Sequence, residues 1–156
     1  EPSRTRLFDR QRYWFDEQTQ AEPVRDGGDH PLLGQRLPVC AHTPDTYVWE
    51  SLLEIEHLPF LSGHNVFGAT MLPYAAFVEM ALAAGTQVPG HPRRVTTMQL
   101  QHPVAVSQSQ ATRLQTVVDP GPGGGWRVRV YTLTGSRSSA SSTHSLWTPA
   151  MSASLT

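Results

Sequence analysis

His64-Asn65-Val66-Phe67-Gly68-Ala69-Thr70-Met71-Leu72-Pro73 runs directly into Tyr74-Ala75-Ala76-Phe77-Val78-Glu79-Met80-Ala81-Leu82-Ala83-Ala84-Gly85. The stretch reads as a histidine, a tight loop and a helix with hardly any polar face. Pro73 suits the first helical position, where its missing N–H is one the helix would leave unpaired anyway. Gly85 suits the position just past the helix end. Between them only Tyr74 and Glu79 are clearly polar. A helix apolar nearly all round is expected to be buried nearly all round. At about a dozen residues it is too short to span a membrane, which takes ~20. Other elements should therefore wrap it, with His64 in the loop that leads into it.

The flanks supply the wrapping. Upstream, Tyr47 to Ile55 alternates, with Tyr47, Trp49, Leu53 and Ile55 on one face and Glu50 and Glu54 on the other. That is the pattern of a half-buried antiparallel strand. Leu37 to Cys40 is a shorter candidate strand, and Leu58 to Gly63 reads as a helical turn before His64. Downstream, Thr86 to Arg94 is a connector broken by Pro89-Gly90 and Pro92. Val95 to Val106 reads as a long strand with Met98, Leu100, Val104 and Val106 on one side. Pro103 within it marks an edge, a bulge or a break. Arg113 to Val118 and Trp126 to Leu133 are further strands, joined by the Pro- and Gly-rich turn from Asp119 to Gly125. Gly135 to Ser145 reads as a Ser-rich loop tip. Trp147 to Leu155 is the last strand, with Trp147, Met151, Ala153 and Leu155 on one parity. One buried helix with five or six antiparallel strands gives an α+β class. So apolar a helix calls for a strongly curved sheet around it rather than a flat one.

Residues 1–29 do not read as core. Leu7-Phe8-Asp9-Arg10-Gln11-Arg12-Tyr13-Trp14-Phe15 is aromatic and basic, and a polar stretch follows to Asp29. The 156 residues suit one domain, and 13 Pro with 12 Gly assign a good part of the chain to loop or linker. A formal net charge of -1 with no basic stripe argues against nucleic acid as partner. The single cysteine, Cys40, excludes an internal disulfide framework and fits a reducing compartment. With no signal-peptide pattern and no long apolar run, a cytoplasmic location away from membranes is expected.

Seven histidines are present, yet none pairs at i+4 on a helix and no Cys cluster exists, so no metal site is expected. Gly123-Gly124-Gly125 precedes a strand, which suits a hairpin rather than a phosphate loop. His64 differs from the other histidines by position. Imidazole titrates near neutrality and can take a proton and return it. The helix start beside it offers free backbone N–H groups and a positive dipole end, which suit an oxygen gaining negative charge. Gly68 lets a substrate approach the backbone closely.

The spacing His64-x-x-x-Gly68-x-x-x-x-Pro73, with Phe77-Val78-Glu79-Met80-Ala81 after it, resembles the active-site motif of the dehydratase domain of modular polyketide synthases. His30-Pro31-Leu32-Leu33-Gly34 resembles the start of such domains, and Leu100-Gln101-His102-Pro103 and Trp147-Thr148 fall where the family has similar words. The likeness covers only the first half of the family's domain. It implies a hot-dog fold over residues 30–156, as half of a double hot-dog, and makes residues 1–29 a remnant of the linker that follows an acyltransferase domain. It also implies that His64 removes the α-proton of a 3-hydroxyacyl thioester, that Gly68 N–H meets the thioester carbonyl, and that Pro73, Phe67 and Tyr74 join in substrate binding. Tyr74 departs from the family, which commonly has Gly there. No cofactor is implied beyond the phosphopantetheine arm of an acyl carrier protein that delivers the substrate. The implied partners are that carrier, a missing C-terminal hot-dog half with the acid residue, neighbouring synthase domains and a second copy in a homodimer. Two other readings stay open: a non-catalytic dehydratase-like assembly domain, and a free-standing hot-dog thioesterase or hydratase that dimerises to build its site.

Overall fold

A computed structural model describes residues 30–39, 43, 45–133 and 147–156. The expected linker at 1–29, Cys40 and the Ser-rich loop tip lie outside the described residues. In chain order the elements are β1 (Gln35–Leu37), β2 (Tyr47–Leu53), β3 (Asn65–Val66), β4 (Ala69–Thr70), α1 (Tyr74–Thr86), β5 (Val95–Leu100), β6 (Thr112–Pro120), β7 (Trp126–Leu133) and β8 (Trp147–Leu155). β3 and β4 make a small ribbon. The other six form one antiparallel sheet in the order β1-β2-β6-β7-β8-β5, the hot-dog arrangement of a sheet around one helix.

The alternation that marks the strands in sequence sets the inner face. Trp49 and Leu53 of β2, Leu114 and Val118 of β6, Val128 and Val130 of β7, and Met151, Ala153 and Leu155 of β8 are all buried. α1 presses Phe77, Met80, Ala81 and Ala84 against them, each wholly buried. Trp49 also donates its indole N–H to Gln87 Oε1 at 3.1 Å, tying β2 to the residue that caps α1. Tyr47 is half-buried on the same side, with its ring edge-on to Trp126.

The outer side of α1 is a departure from the expected all-round burial. Tyr74, Ala75 and Glu79 are exposed, and Val78, Leu82 and Ala83 are only half-covered. The sheet closes on one side of the helix and leaves an apolar groove on the other, lined by Leu82, Ala83, Thr86, Gln87, His30 and Glu79.

The word His30-Pro31-Leu32-Leu33-Gly34 is a plug. Leu33 and Gly34 both donate backbone N–H groups to His30 O, and Leu32 N–H donates to His30 Nδ1 at 3.3 Å. That bond leaves the proton on Nε2, which faces Glu79 Oε1 of α1 at 3.2 Å. Leu32 and Leu33 are thereby driven into the core. Gly34 has φ +72°, and a Cβ there would lie 2.2 Å from Glu50 O, so only glycine fits.

Four local expectations change. Pro73 is the N-cap, not the first helical residue: its φ of -71° is helical but its ψ of 153° is extended. Gly85 lies inside α1, which ends at Thr86. Its role is close approach, since a Cβ would meet Pro92 O at 2.5 Å. The long strand from Val95 stops at Leu100. There Gln101 and His102 N–H groups both donate to Ala150 O, at 2.8 and 3.2 Å. Beyond Pro103, Val104 to Val106 pairs instead with Thr70 to Leu72: Leu72 N–H donates to Val104 O and Val106 N–H to Thr70 O. Finally, β8 has a bulge at Ala150, because Val130 faces Met151 while Tyr131 faces Pro149. The bulge turns Trp147 to the outer face beside Leu133, off the parity of Met151.

Candidate active site

His64 is held from three directions. Its N–H donates to Leu61 O at 3.0 Å, its carbonyl accepts from Met71 N–H at 3.0 Å, and its Nδ1 meets Met71 O at 2.9 Å. Leu61 and Leu72 on either side are buried anchors. A carbonyl oxygen only accepts, so Nδ1 must carry the proton. Neutral His64 then presents an unprotonated Nε2 on an exposed ring, the form a general base needs. Among the described residues no carboxylate bonds to this ring. No group of three described His, Cys, Asp or Glu residues converges there into a metal site either.

Two further hydrogen bonds brace the loop. Asn65 Nδ2 donates to Ser62 O at 2.9 Å, and the buried Thr70 hydroxyl donates to Asn65 Oδ1 at 3.1 Å. Between Asn65 and Thr70 the chain turns in two residues, Phe67 and Gly68, with φ of +49° and +83°. Positive φ at both positions makes a type I′ hairpin, which usually carries Asn or Gly. For a bulky L residue the left-handed conformation costs roughly 1–2 kcal/mol. Gly68 is the relaxed member, and a Cβ there would enter open space.

The structure thus puts His64 at the base of the β3–β4 hairpin and Phe67 and Gly68 at its tip. Met71 links the hairpin to Pro73 and Tyr74 at the start of α1. Pro73 is half-buried and Tyr74 exposed. Ala76 N–H already donates to Pro73 O at 3.0 Å, so the opening amides of α1 that precede its own bonds are those of Tyr74 and Ala75. Sequence reasoning missed the Met71 carbonyl, Asn65, Thr70 and the Val104–Val106 segment that backs the loop. Only the last left a signal, in the break at Pro103.

Residues 30–133 match the family model described as polyketide synthase dehydratase domain. The polyketide synthase GfsA of Streptomyces halstedii is 35% identical over an alignment of 121 residues that covers 73% of this chain and 2% of that protein. Among solved structures, the dehydratase domain from the CurF module of curacin polyketide synthase matches with TM-score 0.67 and 20% identity, covering 81% of this chain and 43% of that one. A CurK dehydratase carrying a histidine-to-phenylalanine change, described as an inactive mutant, matches with TM-score 0.65 and 20% identity over 81% of this chain and 43% of that one. The chain therefore spans a small part of its curated relative and less than half of these solved domains. No helix among the described residues is long and apolar enough to cross a membrane.

Proposed function

The chain belongs to the polyketide synthase dehydratase domain family, and from that premise we propose that it is the N-terminal hot-dog of a dehydratase acting on a 3-hydroxyacyl thioester. The observation that carries this reading is the Nδ1–Met71 O bond, which leaves Nε2 of His64 basic and exposed. His64 takes the proton from the carbon next to the thioester carbonyl. Gly68 N–H and the opening amides of α1 hold the carbonyl oxygen as it gains charge, with Pro73 and Tyr74 around the acyl group. The bond between the third carbon and its hydroxyl breaks, an acid gives that hydroxyl a proton, and water leaves a 2-enoyl thioester. The acid belongs to a C-terminal hot-dog half outside this chain. The step is redox-neutral and needs no oxidant or reductant, and the phosphopantetheine arm of an acyl carrier protein delivers the substrate to the two halves. The same proposal includes neighbouring synthase domains, a homodimer and a cytoplasmic location, with residues 1–29 as the linker from an acyltransferase.

The test is mass spectrometry of carrier-bound substrate, following loss of water. This chain alone is expected to be inactive, and the complete domain active. His64→Phe in the complete domain should abolish elimination, since general base catalysis typically contributes ~10²–10⁴-fold. Undiminished water loss by the folded variant would sink the assignment. The inactive histidine-to-phenylalanine CurK dehydratase supports the choice of variant. Absence of any acid-bearing half downstream in the gene would favour the assembly-domain reading.

A further inference from the structure

Among the described residues, the large apolar side chains that stay exposed are concentrated in one stretch of the sequence. Phe60, Val66, Phe67 and Tyr74 all lie on the stretch that carries His64, leaving only Val39, Leu52 and Leu100 elsewhere. Phe67 is the extreme case, with a relative exposure of 106% and a φ of +49°. Both features disfavour the fold as it stands. Asn or Gly would make the same turn without strain, and a polar residue would suit a fully wetted tip. Strain held at one residue persists when surrounding structure or function rewards it. Nothing within the described chain touches the ring closely enough to do so.

The missing contact has a source of suitable size. This chain matches only 43% of the CurF dehydratase domain, so more than half of that domain has no counterpart here. Resting on the reading above, we propose that Phe67 is the apolar anchor by which this half docks into the complementary hot-dog half. The strained β3–β4 turn holds its ring out toward an apolar pocket on that half. Buried aromatic anchors of this kind carry much of the energy of an interface. A folded surface fits better than an acyl chain, because a ring open to water on all sides cannot itself shield an acyl group. The same contact would press the hairpin that carries His64 against the half that brings the acid.

The experiment compares Phe67→Asn and Phe67→Leu in this chain and in the complete domain, both halves in one polypeptide. Phe67→Asn relieves the turn and removes the anchor, whereas Phe67→Leu keeps the strain and an apolar contact. In the 156-residue chain, Phe67→Asn is expected to raise Tm by about 2–4 °C. In the complete domain it is expected to lower Tm by at least as much, with Phe67→Leu falling between it and the wild type. That reversal of sign is the signature. A rise in both settings would overturn the proposal. So would an unchanged Tm in the complete domain with a raised KM, which would make Phe67 an acyl contact. Sedimentation showing that Phe67→Asn splits a dimer of this chain, with no effect on the complete domain, would give the site to a second copy and also overturn it. His64→Phe should leave both melting temperatures nearly unchanged while stopping water loss, so failure of the base assignment and failure of the anchor are read separately.

Discussion

The imidazole of His64 can accept a proton only at the nitrogen that carries none, and a main-chain carbonyl decides which one that is. Nitrogen-15 NMR of the neutral ring should therefore show the proton on Nδ1; a proton on Nε2 would contradict the Met71 contact. In the core, Phe77 is fully buried between α1 and the sheet, and Phe77→Ala should cost about 3–5 kcal/mol in urea unfolding. A loss below about 1 kcal/mol would mean that the site collapses around the gap. The burial of Phe77 was legible in the sequence from an unbroken apolar run, and so was the place of His64 in the loop that leads into α1. The Met71 carbonyl was not, because every residue offers a carbonyl and no side-chain pattern says which one is aimed. Pro73 shows a finer limit. Its ring dictates φ but not ψ, so a helical and a capping proline look alike in sequence, and the structure chose the cap.

At the scale of elements, glycines and prolines carry two meanings each, and the packing selects one. Gly85 sits within α1, where Ala would improve helix propensity by about 1 kcal/mol. A Cβ there would lie 2.5 Å from Pro92 O, a backbone atom that cannot swing away. The clash should win: Gly85→Ala is expected to destabilise by about 1–3 kcal/mol, checked by thermal melting, and a stabilised variant would show that the connector yields. Pro149 had a second meaning too. β8 lies between β7 and β5, and a proline in an inner strand belongs at a bulge. The bulge is at Ala150, the next residue, and it is why Trp147 departs from the alternation read along the strand. Strand existence was legible from period two, but register was not, since one inserted residue reverses every side chain beyond it. Leu100 shares a pairing with the buried Met151 yet remains exposed, as the last residue of the edge strand β5.

For the molecule as a whole, the fold class was legible and the completeness of its core was not. The near-absence of polar residues on α1 reads as burial on all sides, yet Val78, Leu82 and Ala83 keep a half-open flank. An apolar flank of that kind is an interaction surface, so this chain made alone should dimerise or aggregate. Light scattering of a clean monomer at high concentration would count strongly against that. The order of strands has a consequence in time. β2 has the short β1 on one edge, but its long partner on the other is β6, with Tyr47 opposite Val118 and Leu53 opposite Thr112. Everything between them, the His64 loop and α1 included, leaves the ribosome before the inner face of the sheet exists. β5 waits longer still, since its neighbour β8 is made last. Such non-local pairing is slow to form and leaves apolar segments uncovered meanwhile. Nascent chains halted before β6 should expose α1 to protease and to chaperones, and protection should arrive only when β8 has emerged; protection of α1 in chains ending before Thr112 would refute that order of events.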